Sequence, residues 1–477
     1  MKDSFFNKIV ASLQSNQMNL SERSVSFRFG TIKLFYISQL TDRASLTENV
    51  IKPLVQHCSV AHEPVNAQLI ADSIIYADDC ILESDPNIVE DFILSGMVVI
   101  LISTDRQYVV VNIKKVEQRA VPTPQLTYTL RGPQDCFTEN IHTNISLIRY
   151  RLKDRNLRIK NFQVGARTKS HIAVIYIEDI ANDTVVREIQ KRIENINVDG
   201  IGESGELQHF LLNKKMHLFP QMGIVERSDM ASHSLLQGKV LVLIDGSGLA
   251  LLAPKTFSEF FYSCDDRYDN KYFGLFMRII RYIAIAIAFT ASSIFVALTS
   301  FHTDVLPTDY AIFLSELRIN VPFNAMIDTL ILEFAVELVR EALLRVPKQI
   351  GSAIGIVGTI IIGEAAISAS IFSPLLLIIV ATSLLASFAI PDYTLINPFR
   401  VLKFLLIIFT GMLGFYGFTI FITFVLFDLV SINSFGVPYM APIAPFNAYD
   451  FKRTLIDNTT DNPKRPEYLR NKDSTRL

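Results

Sequence analysis

Apolar positions along this chain come in short, turn-bounded runs up to about Leu275, then in long runs from Ile279 to Phe427; from Tyr449 onward the text is polar. In the first part TIKLFYISQL (31–40) predicts a buried strand and LTENVIKPLVQH (46–57) a helix. VEDFILSGMVVILIS predicts a short helix running into a strand, and QYVVVNIKK supplies a hairpin partner. VPTPQ (121–125) reads as a linker. Beyond it ENIHTNISLIRYRLKD predicts a helix, HIAVIYIEDI a strand and TVVREIQKRIENI an amphipathic helix. KVLVLIDGSGLALLAP (239–254) sets two apolar runs around Asp-Gly-Ser-Gly, a hairpin signal.

The long runs have a different meaning. RIIRYIAIAIAFTASSIFVALTS (278–300), IGSAIGIVGTIIIGEAAISAS (350–370), PLLLIIVATSLLASFAI (374–390) and FLLIIFTGMLGFYGFTIFITFVLF (404–427) each approach the roughly 20 apolar residues that cross a bilayer. Arg278 and Arg281 at the head of the first favour a front region on the cytoplasmic side. The opening MKDSFFNKIVASLQSNQMNLSERS has no apolar core of a signal peptide, which favours the same side. Topology stays ambiguous, because Arg345 with Lys348 and Arg400 with Lys403 each ask for an aqueous side. The predicted fold class is an α+β or α/β cytoplasmic region of two small subdomains, followed by an all-α polytopic membrane domain. The expected boundaries are an N-terminal arm (1–29), subdomains at 30–118 and 126–272, a membrane domain at 273–430 with an amphipathic helix at 323–346, and a tail at 431–477.

Composition then excludes several classes. The chain has 477 residues, a formal net charge of -2 and no basic stripe, so nucleic acid is not an expected partner. The four cysteines, Cys58, Cys80, Cys136 and Cys264, have no CxxC spacing, and the eight histidines are scattered, so neither a metal site nor a cofactor is expected. Gly200-Ile-Gly202-Glu-Ser-Gly205 fits G-x-G-x-x-G, but it follows a polar helix end rather than a buried strand and reads as a turn. Asp245-Gly-Ser-Gly248 lacks the spacing of a nucleophile elbow and a paired histidine. No catalytic constellation emerges, so an enzyme is not expected.

LEFAVELVREALLRVPKQIG (332–351) places charge inside the most apolar third of the chain. On a helix, Glu333, Glu337, Arg340, Glu341 and Arg345 fall three or four apart and share a face, with Glu337 able to pair with Arg340 and Glu341 with Arg345. Ile331, Phe334, Ala335, Leu338 and Ala342 take the other face. Two readings stand equal: an interfacial helix with its charges in water, or a packed, paired cluster beside an aqueous vestibule. On a helix over 350–370, Ile350, Ile354, Val357, Ile361, Glu364 and Ser368 form one face, while Gly351, Gly355, Thr359 and Gly363 form a small-residue packing strip.

EFAVELVREALLRVPKQIGSAIGIVGTIIIGEAAISAS resembles the central signature of the GerA family, specifically the A subunit of spore germinant receptors. LRGPQDCFTENIHTNISLIRYRLKDRNLRIKNFQVG (130–165), QGKVLVLIDGSGLALLAP, EFFYSCDDRY and FGVPYMAPIAP (435–445) are similar to further blocks in the same order, covering about residues 30 to 446. The chain departs from the family pattern at Cys136 (usually glycine), Ser228 (proline), Gly248 (often proline) and Glu364 (often neutral and polar). The resemblance implies an integral protein of the spore inner membrane, working with a permease-like B subunit and a lipoprotein C subunit. It further implies a homo-oligomeric, nutrient-gated ion channel passing monovalent cations, without catalytic residues. If the 350–370 face turns toward a shared axis, Val357 and Ile361 form an apolar belt and Glu364 favours cations; the alternative is a buried helix with Glu364 protonated against a neighbour. The resemblance implies that the charge cluster is wiring between protomers beside the pore. An A-subunit paralogue that amplifies germination would share these motifs, whereas a secondary transporter would show inverted repeats, which are not found in the sequence.

Overall fold

The computed structural model describes residues 2–15, 20–27, 30–60, 65–113, 132–212, 217–263, 265–268, 270–346, 368–455 and 464–475. Two compact units emerge: 1–214, 222–254 and 462–477 form an α+β unit, and 215–221 with 255–461 form a helical unit.

The α+β unit runs through α1 (Lys2–Ser15), β1 (Ser21–Phe27) and β2 (Gly30–Tyr36). A helical stretch follows, made of α2 (Arg43–Ser45), a π-helical turn at Leu46–Ile51 and α3 (Lys52–Val60). After α4 (Ala67–Leu69) with a second π-helical turn (Ile70–Ile74) come β3 (Cys80–Glu83), α5 (Val89–Leu94), β4 (Val98–Ile102) and β5 (Tyr108–Val111). The second subdomain is α6 (Ile141–Arg151), β6 (Leu157–Val164), β7 (Ser170–Ile177), α7 (Asp183–Glu194), α8 (Ser204–Leu211), β8 (Gly223–Val225), α9 (Ser228–Leu236), β9 (Val240–Ile244) and β10 (Ala250–Ala253). Both sheets have five strands, ordered β1-β2-β4-β5-β3 and β6-β7-β9-β10-β8, with every described neighbour antiparallel.

Counted within each subdomain, the strand order and the placement of the helices are the same, so the chain traces one course twice. Local chemistry repeats too. Asp42 caps α2 by accepting from the Ala44 amide at 3.0 Å, and Asn182 caps α7 by accepting from the Thr184 amide at 2.9 Å. ILSGMVVILI (93–102) and LLQGKVLVLI (235–244) occupy equivalent positions. In both, a glycine with positive φ (Gly96 at 85°, Gly238 at 94°) ends the helix. The next amide, Met97 or Lys239, then bonds back to Phe92 O or Ser234 O at 3.1 Å, closing a Schellman turn. The strands that follow, VVILI and VLVLI, are buried on both faces, which is why they read as unbroken apolar runs. The expected hairpin at 239–254 forms, with Leu251 opposite Val242.

Two expectations change at the edges, and a third is not described. Within the expected arm (1–29), Lys2–Ser15 form α1 and Ser21–Phe27 form edge strand β1, and Phe6, Ile9 and Leu13 pack on the first sheet with Phe35, Ile93 and Leu101. The expected tail is divided, because 464–475 belong to the α+β unit and 431–455 to the helical one. The linker VPTPQ lies outside the described residues.

The helical unit comprises α10 (Asp265–Tyr268), α11 (Lys271–Ser300), α12 (Thr308–Arg318), α13 (Ala325–Arg345), α14 (Pro374–Ser387), α15 (Tyr393–Ser431) and α16 (Ala448–Leu455). Its base is marked by the Lys255–Asp392 ion pair and by the Phe257 amide on Tyr439 O at 2.8 Å. Its tip is marked by His302, whose ring lies 4.9 Å from that of Phe415. α11 is long and apolar enough to cross a membrane, while α14, with 14 residues, is about 21 Å long and short of a hydrocarbon core.

α15 is not one rod. Gly414 has φ 65° and ψ −147°, outside any helical region, and the chain reverses there. The rings of Phe409 and Phe421 lie 5.3 Å apart, where a straight helix would separate them by about 18 Å. Leu402 and Leu406 share a core with Phe421 and Val425. The expected single span at 404–427 is therefore a helical hairpin with legs 393–413 and 415–431. Close approach explains its glycines: a Cβ at Gly417 would stand 2.2 Å from Phe409 O, and one at Gly414 would stand 2.8 Å from His302 Cε1. The expected span 350–370 lies outside the described residues except for its last three.

Gly414→Ala forces a side chain into a glycine-only conformation, and it should destabilise the purified chain by about 1–3 kcal/mol in thermal or denaturant unfolding. Gly202→Ala, where a Cβ meets nothing within 4 Å, should stay within about 0.5 kcal/mol.

Candidate functional site

α13 carries Glu333, Glu337 and Arg340 inward. Glu333 is 1% exposed and sits between two helices. One carboxylate oxygen accepts from Lys403 Nζ at 2.6 Å, and the other accepts from Ser292 Oγ at 2.6 Å. One turn on, Glu337 accepts from Arg400 Nε at 3.0 Å, and Arg400 Nη2 closes the fork. The i,i+4 step on α13 thus meets the i,i+3 step from Arg400 to Lys403 on the first leg of α15, running antiparallel. Arg340 lies 3.9 Å from Glu337, stacks over the Phe388 ring at 5.5 Å and reaches Ser387 Oγ at 3.4 Å. Glu341 and Arg345 pair with each other at 2.7 Å, and Arg345 is 80% exposed at the side chain. Toward the tip, Asp328 is fully buried, with Arg318 at 3.8 Å.

The opposite face of α13 is apolar and uncovered: Ile327, Ile331, Phe334 (58% exposed) and Leu338 (55%) follow one another at helical spacing. A water-exposed helix would have the reverse arrangement. Charges turned inward and apolar groups turned outward are what a lipid surround selects. The partners missed in the sequence are Arg400, Lys403 and Ser292, because they lie 41 to 70 positions from the acids they hold. The only hint was Arg400 and Lys403 seeking an aqueous side, and the carboxylates remove that need. Arg278 and Arg281, taken as side-determining charges, are buried on Asp266, with Arg281 Nη2 at 2.8 Å.

Of the predicted pore face and packing strip, Ile350, Ile354, Val357, Ile361, Glu364, Gly351, Gly355, Thr359 and Gly363 lie outside the described residues; Ser368 is described and exposed.

The motifs set aside in the α+β unit have local roles. Glu203 occupies the N-terminus of α8 that a phosphate would take in a dinucleotide site: its carboxylate accepts from Gly205 N at 2.9 Å and from Ser247 Oγ at 2.7 Å. Burial raises the pKa of this carboxyl, but those bonds outweigh it and hold the group below the usual range. Asp135 of the RGPQDCFTEN segment accepts from Arg151 Nη2 at 2.5 Å and from the hydroxyl of Ser228. Burial again works against the ionised form, and Arg151 and Ser228 overcome it. Cys136, pushed up to about 12 chiefly by burial, is no nucleophile at neutral pH. Among the described residues no group of His, Cys, Asp or Glu could hold a metal ion.

A duplicated α+β unit joined to a helical unit with lipid-type polarity defines a membrane-associated protein with a large folded α+β part. The family described as Bacillus/Clostridium GerA spore germination protein matches residues 7–468, and the chain belongs to it. It is 37% identical over 436 residues to spore germination protein B1 of Bacillus subtilis (strain 168), covering 90% of each chain. Spore germination protein GerLA of Bacillus cereus is 34% identical over 462 residues, covering 96% of this chain and 94% of the relative. Spore germination protein KA of Bacillus subtilis (strain 168) is 34% identical over 446 residues, covering 93% and 82%. Among solved structures, the N-terminal domain of the A subunit of the Bacillus megaterium spore germinant receptor GerK3 aligns with 23% identity and a TM-score of 0.39, over 53% of this chain and 94% of that one.

Removing one partner from a buried pair leaves the other charge uncompensated. Lys403→Met should therefore cost roughly 3–5 kcal/mol in unfolding of the purified protein, with most of the loss recovered when Glu333→Gln is added. Arg345→Ala, at an exposed pair, should change stability by less than about 1 kcal/mol.

Proposed function

We propose that the chain is the A subunit of a nutrient germinant receptor in the spore inner membrane and forms a homo-oligomeric channel whose opening releases monovalent cations. The observation that supports this most directly is the inverted polarity of α13. Its Glu333 and Glu337 are held by side chains of α11 and α15, and its apolar stripe is left for lipid or a second copy. A permease-like B subunit and a lipoprotein C subunit complete the receptor, and the A subunit transmits the signal rather than performing catalysis. The α+β unit lies on the cytoplasmic side. The chain leaves that unit after Pro254 and rejoins it at Asn462, which supports a helical part that begins and ends on one membrane face.

In this reading the 350–370 segment lines the pore. Val357 and Ile361 form an apolar gate that closes by dewetting, and Glu364 favours cations. The test is conductance of the purified chain in planar bilayers, alone and with its partner subunits. Val357→Ala or Ile361→Ala should raise basal current by wetting the belt, and Glu364→Gln should reduce the cation-to-anion permeability ratio while assembly is kept. No current from any of these proteins, or unchanged basal current in both belt variants, would contradict the channel and the gate respectively.

A further inference from the structure

We infer that residues 464–475 are a tether: after the helical unit the chain returns to the second subdomain and locks onto one corner of it, in cis.

The corner is formed by the loop between β7 and α7 and by the end of α9. The last carbonyls of a helix have no partners of their own. Here Leu236 O accepts from Arg465 Nε at 2.9 Å, and Gln237 O accepts from Asn471 Nδ2 at 2.7 Å. A cation at a helix C-terminus also suits the dipole. Asn471 lies so close to Gly238 that a Cβ there would stand 2.2 Å from its Oδ1. On the loop side the Lys472 amide donates to Ile180 O at 3.0 Å, and the Lys472 ammonium pairs with Asp183 at 2.8 Å. Asn182, which caps α7, donates to Leu469 O at 3.1 Å, and the Leu469 side chain is buried. Backbone, side-chain and apolar contacts all fix the segment in one register, unlike a loose terminal segment.

The duplicated fold provides an internal comparison. The equivalent loop of the first subdomain, Ile37 to Asp42, is also met by a later segment: Gln39 O accepts from the hydroxyl of Ser146 in α6. In each repeat this corner receives chain that follows it. Because the tether joins the end of the helical unit to the folded unit from which that unit starts, it makes the two respond together. That consequence rests on the receptor reading, whereas the docking does not.

The test uses the full chain in membranes. Zero-length carbodiimide coupling should join Lys472 to Asp183, read by mass spectrometry, with both peptides from one copy when isotope-labelled and unlabelled copies are mixed. Lys472→Gln should lose the link. Amides in 465–472 should exchange slowly with solvent in the wild type and faster in Asn182→Ala. Absence of the link, or a link only between copies, overturns the cis tether. In spores, a chain lacking 464–477 should still accumulate in the membrane but lose nutrient-triggered ion release, while Lys472→Arg keeps it. Normal release from the truncated chain overturns the coupling. A wild-type chain that forms the link yet never responds to nutrient overturns the receptor reading and leaves the tether standing.

Discussion

The helical unit depends on how Glu333 and Glu337 are neutralised. Two carboxylates among apolar helices would be prohibitively costly if left alone. Lys403 and Arg400 make them tolerable, and in doing so fix the register of α13 against the first leg of α15. Buried ion pairs of this kind add little net stability over apolar packing but strongly penalise a wrong partner. Their effect is specificity: α13 can lie in one place, with its apolar stripe facing out. The hairpin at Gly414 serves the same arrangement, because it returns the second leg alongside the first and keeps the core between them apolar.

The α+β unit rests on a different constraint. Each subdomain buries two central strands on both faces, which requires cover from helices before and after the strands. The chain meets that requirement with one plan used twice, down to the glycine after α5 and α9. The second copy is completed by chain that arrives from beyond the helical unit, so this α+β part is discontinuous in sequence although compact in space.

Much of this was legible in the sequence because the signals are local. Alternation and turn chemistry located the central strands, the 239–254 hairpin and the helix over 325–345 to within a few residues, and the A-subunit signature pointed to the family that matches residues 7–468. The edge strand SERSVSF was missed because it is polar and mostly uncovered. The hairpin at Gly414 was missed because an apolar run carries no mark of reversal beyond its glycines. The repeat was missed because only short stretches, such as ILSGMVVILI and LLQGKVLVLI, preserve it in letters. At the candidate site, spacing identified which acids share a face but not who holds them, since Glu333 and Lys403 meet only after the chain has folded back across 70 positions.

The central claim is that α13 turns Glu333, Glu337 and Arg340 into the protein and its apolar stripe toward lipid. The chain contains no tryptophan, so Phe334→Trp and Leu338→Trp each create a single fluorescent reporter on that stripe. In proteoliposomes made with brominated lipids, the account predicts strong quenching by the lipid and little by aqueous iodide at both positions. Strong iodide quenching with none from brominated lipid would put the stripe in water and contradict it.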